Sequence, residues 1–474
     1  MFVRSGLGPR IVSGLTLATL NVRLEKVARE IDLHITGGIV LPMVDDDEWF
    51  RGDLLVDSGR IVEVARGATP PGITARRTLD AGEAVVLPGF VQCHVHVVQS
   101  LLRHQADGLE LLPWLRDAVW PYEAALDGDG VEAAAELGIA ELLCGGTTTA
   151  LDFGTCRYHD RAFEVAERLG IRLVSGKTHM DTGEGVPAGL LEDTDRSLAD
   201  AAALGDRWHG AAAGRLRYAV APRFTLSCSR ELLAGCAELA RSRGWLLQSH
   251  ANENLDEVAA IRAATGSSNL EYLYRVGLTG PDVVLAHGVH VEPQEVVLLA
   301  ASRTTICHCP GANLKLGSGI ADVPGLQRAG VRVALGADGA PCNNRLSIFH
   351  EMGLAATLHS LRHGASSMPA ERVLAMATRE GAAALHLDHE IGTLEPGKAA
   401  DVTVVDLRGW SLQPDGHPAA RIVHGATAGD VRHVVVGGQP VVVDRQLETA
   451  DSTELRQRIR HAWEATSARM GRAR

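Results

Sequence analysis

The sequence predicts an α/β protein: a (β/α)8 TIM-like barrel carrying a small β-sandwich domain built from both chain ends. Three observations predict it. Short apolar strands alternate with helix-like stretches over about 300 residues of the middle, the size and order of such a barrel. β-rich runs with turn residues lie near both ends of the chain. Histidines and an aspartate recur where the middle strands stop, and barrels of this kind carry their chemistry at the C-terminal ends of strands.

At 474 residues the chain is too long for one ordinary core, so two domains are expected. Hydrophobic content of 46% with 22% charged residues suits a globular protein. The net charge of −12 is dispersed, which argues against nucleic acid or an anionic membrane as partner. No apolar run reaches the roughly 18 residues that span a bilayer. Residues 1–30 contain LGPRIVSGLTLATLNVRLEKV, interrupted by arginines and a lysine and lacking the apolar centre of a secretory signal. They read as an N-terminal extension, and a cytoplasmic location is expected. The eight cysteines form no CxxC pair and sit mostly in apolar surroundings, so reduced, buried thiols are expected.

Taken in order, residues 31–86 supply the first part of the β domain. DLHITGGIVLP is followed by DLLVDSGRIVEVA, whose Asp57-Ser58-Gly59 has turn chemistry. The barrel spans 87–390. Its strands are VVLPGFVQCHVH, TTTALDF, RLVSGKTHM, LRYAVAPRF, WLLQSH, VVLAH, TTICHC and VRVALGAD. Between them, segments such as GVEAAAELGIAELLCG and SRELLAGCAELARSRG carry apolar residues at helical spacing. Residues 391–450 return to the β domain: Glu395-Pro396-Gly397-Lys398 precedes ADVTVVDL, and Gly437-Gly438 divides two valine runs. Residues 451–474 are expected to form a C-terminal helix.

The first barrel strand ends in His94 and His96. Residues two apart on a strand share a face, so both imidazoles converge on one point. Imidazole is a common metal ligand, but two histidines alone do not make a site. His250 ends the fifth strand, His287 the sixth and Asp338 the eighth. Five imidazole or carboxylate groups at four strand ends point to a metal site.

HVH after strand 1, a histidine after strands 5 and 6, and an aspartate after strand 8 resemble the amidohydrolase superfamily. EPGKAADVTVVD resembles that family's return into its β domain, and the resemblance spans residues 31 to 450. Members with a carboxylated lysine after strand 4 hold two metals. Here strand 4 reads YAVAPRF, and Lys177 on strand 3 reads as structural. The resemblance therefore implies one divalent ion, zinc by default with iron compatible with the same ligand types, held by His94, His96, His250 and Asp338. Glu253 follows His250 by three, and this HxxE resembles the aminohydrolase branch of deaminases and triazine hydrolases. The implied roles are Asp338 as proton acceptor from water, Glu253 as proton donor to a ring nitrogen, and His287 as hydrogen-bond partner of the incoming oxygen.

Gln99 in HVHVVQ, Arg223 and Phe224 in APRFTLSCS, and GKTHMD at 176–181 resemble guanine deaminases. They imply that Gln99 and Arg223 grip a purine edge while Phe224 packs on the ring. Guanine to xanthine plus ammonia is the first expectation. HCPGANLKLGSGI and GADGAPCNNRLSIFHEM resemble instead deaminases of methylthioadenosine, S-adenosylhomocysteine or adenosine. There a glutamate after the Trp-Pro region binds ribose. Glu123 takes that place here, whereas those enzymes carry a histidine where this chain has Arg223. The nucleoside reaction, a pterin deaminase and a triazine-type hydrolase are the alternatives. A catalytically dead binding protein is disfavoured, because no ligand position is missing. The expected partners are a small purine-like substrate and, in a homodimer or larger homo-oligomer, further copies of the chain.

Overall fold

Two hydrogen-bonded sheets organise the chain in a computed structural model that describes residues 29–472 apart from 47, 70 and 71. The extension expected at 1–30 lies outside the described residues except for its last two, which begin a strand.

The first sheet is the barrel. Phe90–His96, Thr147–Asp152, Arg172–Ser175, Leu216–Pro222, Leu246–Ala251, Val283–His287 and Thr305–His308 pair in parallel in that order. The eighth strand comes in two pieces. Val333–Leu335 pairs with the seventh strand, and Asp338–Gly339 pairs with the first, Asp338 opposite Val95 and Gly339 opposite His96. The ring therefore closes. Helices cover its outer face, so the strands are buried on both sides and read as continuous apolar runs rather than alternating ones. Gly336 sits at the break, where a Cβ would lie 2.5 Å from the His94 carbonyl oxygen and 2.9 Å from Cys307 Sγ.

The helices start and stop on chemistry visible in the sequence. Asp127 caps Gly128–Cys144 by accepting from the Gly130 N–H at 2.9 Å. Ser229 caps Arg230–Arg243, and Gly244 ends it in the left-handed region at φ +67°.

The second sheet has nine strands. Arg29–Val40 is its central strand. It pairs with Phe50–Asp57 on one edge; on the other it pairs first with Ile73–Asp80 and then with Ala84–Pro88. Val402–Asp406, Val431–Val436, Gln439–Val443 and Gln446–Leu447 extend the sheet, so both ends of the chain build it. It curls around a core of its own that includes Leu33, Leu54, Val86, Val402 and Val404. The turns at Ser58-Gly59 and Gly437-Gly438 fall where the sequence puts them. The strand Ile73–Asp80 was hidden, because its Arg76-Arg77 pair masks any apolar alternation.

Ala84–Pro88 runs through Gly89 straight into the first barrel strand, so no linker separates the sheet from the two histidines. Arg172, on the third barrel strand and 2% exposed, donates to both Asp401 oxygens at 3.0 and 3.2 Å and to Glu390 at 3.1 Å, tying barrel to sheet. Helix Ser452–Arg472 docks on Gly128–Cys144, where Arg458 donates to Glu136 at 2.7 Å. Among the described residues no helix is long and apolar enough to cross a membrane, and all eight cysteines are free thiols.

Candidate active site

At the C-terminal mouth of the barrel the strand ends bring five side chains to one centre. His96 Nε2 lies 3.3 Å from His250 Nε2. Asp338 Oδ1 lies 3.4 Å from His94 Nε2 and 3.3 Å from His96 Nε2. The donor atoms of His94, His96 and His250 fall within 4.8 Å of one another, as do those of His94, His287 and Asp338. His250 Nδ1 donates to the Arg223 carbonyl at 2.7 Å, which leaves its Nε2 lone pair facing the centre. His94 Nε2 and His96 Nδ1 have no hydrogen-bond partner although both are buried.

These residues fit a divalent metal. The Nε2 atoms of His96 and His250 turned on one another at 3.3 Å do not satisfy each other, whereas a shared cation would take a lone pair from each and from His94 Nε2. The protonation states agree. Burial, with the neighbouring His94, pushes His96 and His250 well below the usual imidazole range, so both rings are neutral. Burial alone would raise Asp338, but the neighbouring His94, with His287 and His96 beside it, holds it well below the usual carboxylate range. Neutral imidazoles and an ionised carboxylate are the forms that bind metal.

Glu253 stands on the loop after the fifth strand and is 3% exposed. Its Oε2 lies 3.3 Å from His287 Nε2. Burial, then the Asp338 and Glu257 charges, push its carboxyl well above the usual range, so it holds a proton. The loop is rigid. Glu257 accepts from the Glu253 and Asn254 N–H groups at 2.7 and 3.2 Å, within the capping box of helix Leu255–Thr265. Asn252, at φ +55°, donates to the His290 carbonyl at 2.9 Å and to Glu295 at 3.0 Å. His287 and Asp338 also hold left-handed backbone, at φ +77° and +60°. Such conformations cost on the order of 1–3 kcal/mol each outside glycine, and here they fall on residues aimed at one point.

A pocket opens onto this centre. His96, His250, Glu253, His287 and Asp338 form one side. Gln99, Arg223 and Phe224 line it. Glu123 is placed differently. It sits behind the wall, 6% exposed, with Oε2 accepting from Arg223 Nη1 at 2.6 Å and Oε1 from Gln99 Nε2 at 3.0 Å. Gln99 Oε1 is left without a partner. Lys177 is buried in an ion pair with Glu192, away from the centre. Leu111, Trp114 and Leu115 complete the wall and were not anticipated. Their signal was present in LELLPWL, an apolar and aromatic cluster between the first strand and its helix.

The model of the amidohydrolase family matches residues 85–441. The chain belongs to the amidohydrolase family. This amidohydrolase is 37% identical over 434 residues to the 5-methylthioadenosine/S-adenosylhomocysteine deaminase of Symbiobacterium thermophilum, covering 91% of this chain and 98% of that one. The crystal structure of an adenosine deaminase from Xanthomonas campestris with bound zinc matches with a TM-score of 0.87 at 31% identity, over 93% of this chain and 99% of that one. Escherichia coli guanine deaminase matches with a TM-score of 0.78 at 28% identity, over 87% and 100%. The amidohydrolase is thus a hydrolase of C–N bonds in the aminohydrolase branch.

Proposed function

We propose that this amidohydrolase deaminates aminopurine nucleosides of the methylthioadenosine, S-adenosylhomocysteine or adenosine type, with one zinc ion held by His94, His96, His250 and Asp338. The observation that carries the reading is two buried carboxyl groups lining one pocket on either side of His287 Nε2, Glu253 pushed by burial above the usual carboxylate range and Asp338 held below it. Two carboxyl groups held in opposite states are what a reaction needs that takes a proton from water and gives one to a ring. The nucleoside class is supported by the 37% identical relative and by the adenosine deaminase fold match. The apolar wall of Leu111, Trp114, Leu115 and Phe224 suits a purine ring and an apolar substituent. Guanine, the first expectation from the sequence, has the weaker support.

A divalent ion at the centre would supply the Lewis acidity that makes a water nucleophilic near neutral pH. Asp338 orients that water and takes one of its protons. His287 holds the water through Nε2. Glu253 protonates the ring nitrogen next to the amine-bearing carbon, which becomes more electrophilic. Once the carbon–oxygen bond has formed, the proton held by Asp338 passes to the amine, which leaves as ammonia. The second proton of the water restores Glu253, and the ring carbon keeps the oxygen as a carbonyl.

One observation favours a free base such as guanine as a second reading. Both Glu123 oxygens are occupied by Arg223 and Gln99, so the carboxylate is not presented to a ribose, while Gln99 Oε1 offers an unpaired acceptor. Ammonia release from methylthioadenosine, S-adenosylhomocysteine, adenosine, guanine, 8-oxoguanine, isoxanthopterin and an aminotriazine separates the two. The nucleosides are expected to lead guanine in kcat/KM by at least ~10-fold, or ~1.4 kcal/mol in barrier. Guanine leading by that margin reverses the order of the readings. No ammonia from any of them removes the proposal.

A further inference from the structure

His287 faces the reaction centre, and its role depends on which ring nitrogen carries a proton. It ends the sixth barrel strand and is fully buried. Its Nδ1 lies 2.9 Å from Asn313 Oδ1, and its Nε2 has no hydrogen-bond partner. That Nε2 stands 3.3 Å from Glu253 Oε2 and 4.0 Å from Asp338 Oδ2, between the two carboxyl groups that move protons.

Asn313 belongs to the short helix Pro310–Lys315 after the seventh strand and is also fully buried. Its backbone is held from both sides. The N–H donates to the Cys309 carbonyl at 3.0 Å, and the carbonyl accepts from Ser318 at 2.8 Å. Ser318 in turn accepts from the His290 ring at 2.7 Å, which joins this helix to the loop after His287. The side chain makes one contact of note. Its Nδ2 is buried without a partner, so the amide carries the desolvation penalty of an unpaired donor. A leucine of similar shape would avoid that penalty. What leucine could not do is accept from His287.

We infer that Asn313 is a positioning residue that holds the proton of His287 on Nδ1 and so makes Nε2 an acceptor toward the attacking water. The inference rests on the deaminase reading of the same site. The physical argument is one of direction. A carbonyl oxygen only accepts, so the Nδ1 facing it carries the hydrogen and Nε2 keeps a lone pair. Water then donates an O–H to His287, and its own lone pair stays free to attack carbon. With the hydrogen on Nε2, the ring would donate to the water oxygen and occupy the lone pair that must react. The opposite orientation of the amide, Nδ2 toward Nδ1, would produce that unproductive state.

Two variants and one spectrum test this. Asn313→Asp keeps the acceptor and removes the donor, whereas Asn313→Leu removes both. The Leu variant is expected to lose ~10²-fold in kcat, in the range for a misplaced proton-transfer group, with KM and metal content near wild type. The Asp variant is expected to stay within ~10-fold of wild type. Long-range ¹H–¹⁵N spectra of metal-loaded, ¹⁵N-histidine-labelled protein report the tautomer directly, with the His287 signal assigned by its loss in His287→Gln. The Nδ1–H form is expected in the wild type and in Asn313→Asp, and loss of that preference in Asn313→Leu. A wild-type spectrum showing the Nε2–H form overturns the inference, as does an Asp variant as impaired as the Leu variant, or a Leu variant as active as wild type. The spectrum needs no substrate, so it stands or falls apart from the deaminase reading, which ammonia release decides.

Discussion

Glu253 keeps a proton that it would lose in water, because burial and two neighbouring carboxylates oppose its charge. Replacing it with glutamine keeps the shape and removes the titrating group. Glu253→Gln is expected to lower kcat at least ~10²-fold with metal content unchanged by elemental analysis. Near-normal turnover would take Glu253 out of the proton path. The same analysis on wild type is expected to find about one divalent ion per chain, and His250→Ala should lose it, since one imidazole of a four-ligand set is gone. Two equivalents at full activity would defeat the single-metal reading. That His94, His96, His250 and Asp338 converge was legible in the sequence because a strand's period of two and the strand-end rule together fix where a side chain points. The place of Glu123 was not. Its partners Arg223 and Gln99 come from two other segments, and a carboxylate turned away from a pocket by an ion pair leaves no trace in spacing. Asn313 escaped notice for a related reason: its one ring contact crosses from the seventh strand's helix to the sixth strand's end.

At the scale of elements, the break in the eighth strand shapes the site as much as any ligand does. Gly336 lets that strand pass against the first one, since a Cβ there would lie 2.5 Å from the His94 carbonyl oxygen and 2.8 Å from the His94 nitrogen. Backbone cannot give way as a flexible side chain can. Gly336→Ala is expected to destabilise the fold by about 1–3 kcal/mol, the usual range for overpacking, and to lower metal occupancy as well. Denaturant unfolding and elemental analysis would measure the two effects, and an alanine variant normal in both would show that the strands can part there. The barrel strands were readable because burial on both faces makes them short apolar runs. The segment Leu111–Trp114 with the π-helical turn Leu115–Val119 was not, since its irregular backbone follows the pocket it walls rather than any periodicity.

For the molecule as a whole, buried neutral histidines set an acid limit. His159 and His308 are each pushed down to about 3 by burial. An unfolded chain would protonate both near pH ~6.5. The unfolded state therefore binds more protons below ~6.5, and stability falls as pH drops from there toward ~3. At pH 4 each histidine weakens the fold by roughly 3 kcal/mol at 1.36 kcal/mol per unit. His159→Gln removes one of these sites while keeping a polar partner for Ser175. Its stability should change less between pH 7 and pH 4 than that of the wild type, as read by denaturant unfolding at both pH values; an equal change would mean that His159 is not part of the limit. The two-ended β domain was legible from turn residues at both ends of the chain. The Arg172–Asp401 tie between barrel and sheet was not, because an arginine in a short apolar strand looks like an accident until its partner, more than two hundred residues away, is seen. The seam of the barrel has one more consequence. Asp338 pairs with Val95, the residue between His94 and His96, so the register of the last strand fixes where the carboxylate stands relative to both imidazoles. Slipping the last strand by one residue would turn the carboxylate to the opposite face. With the proposed ligand set, metal uptake would then gauge correct assembly: a ring closed in the wrong frame would present no complete set, and uptake would report on folding fidelity before any substrate is added.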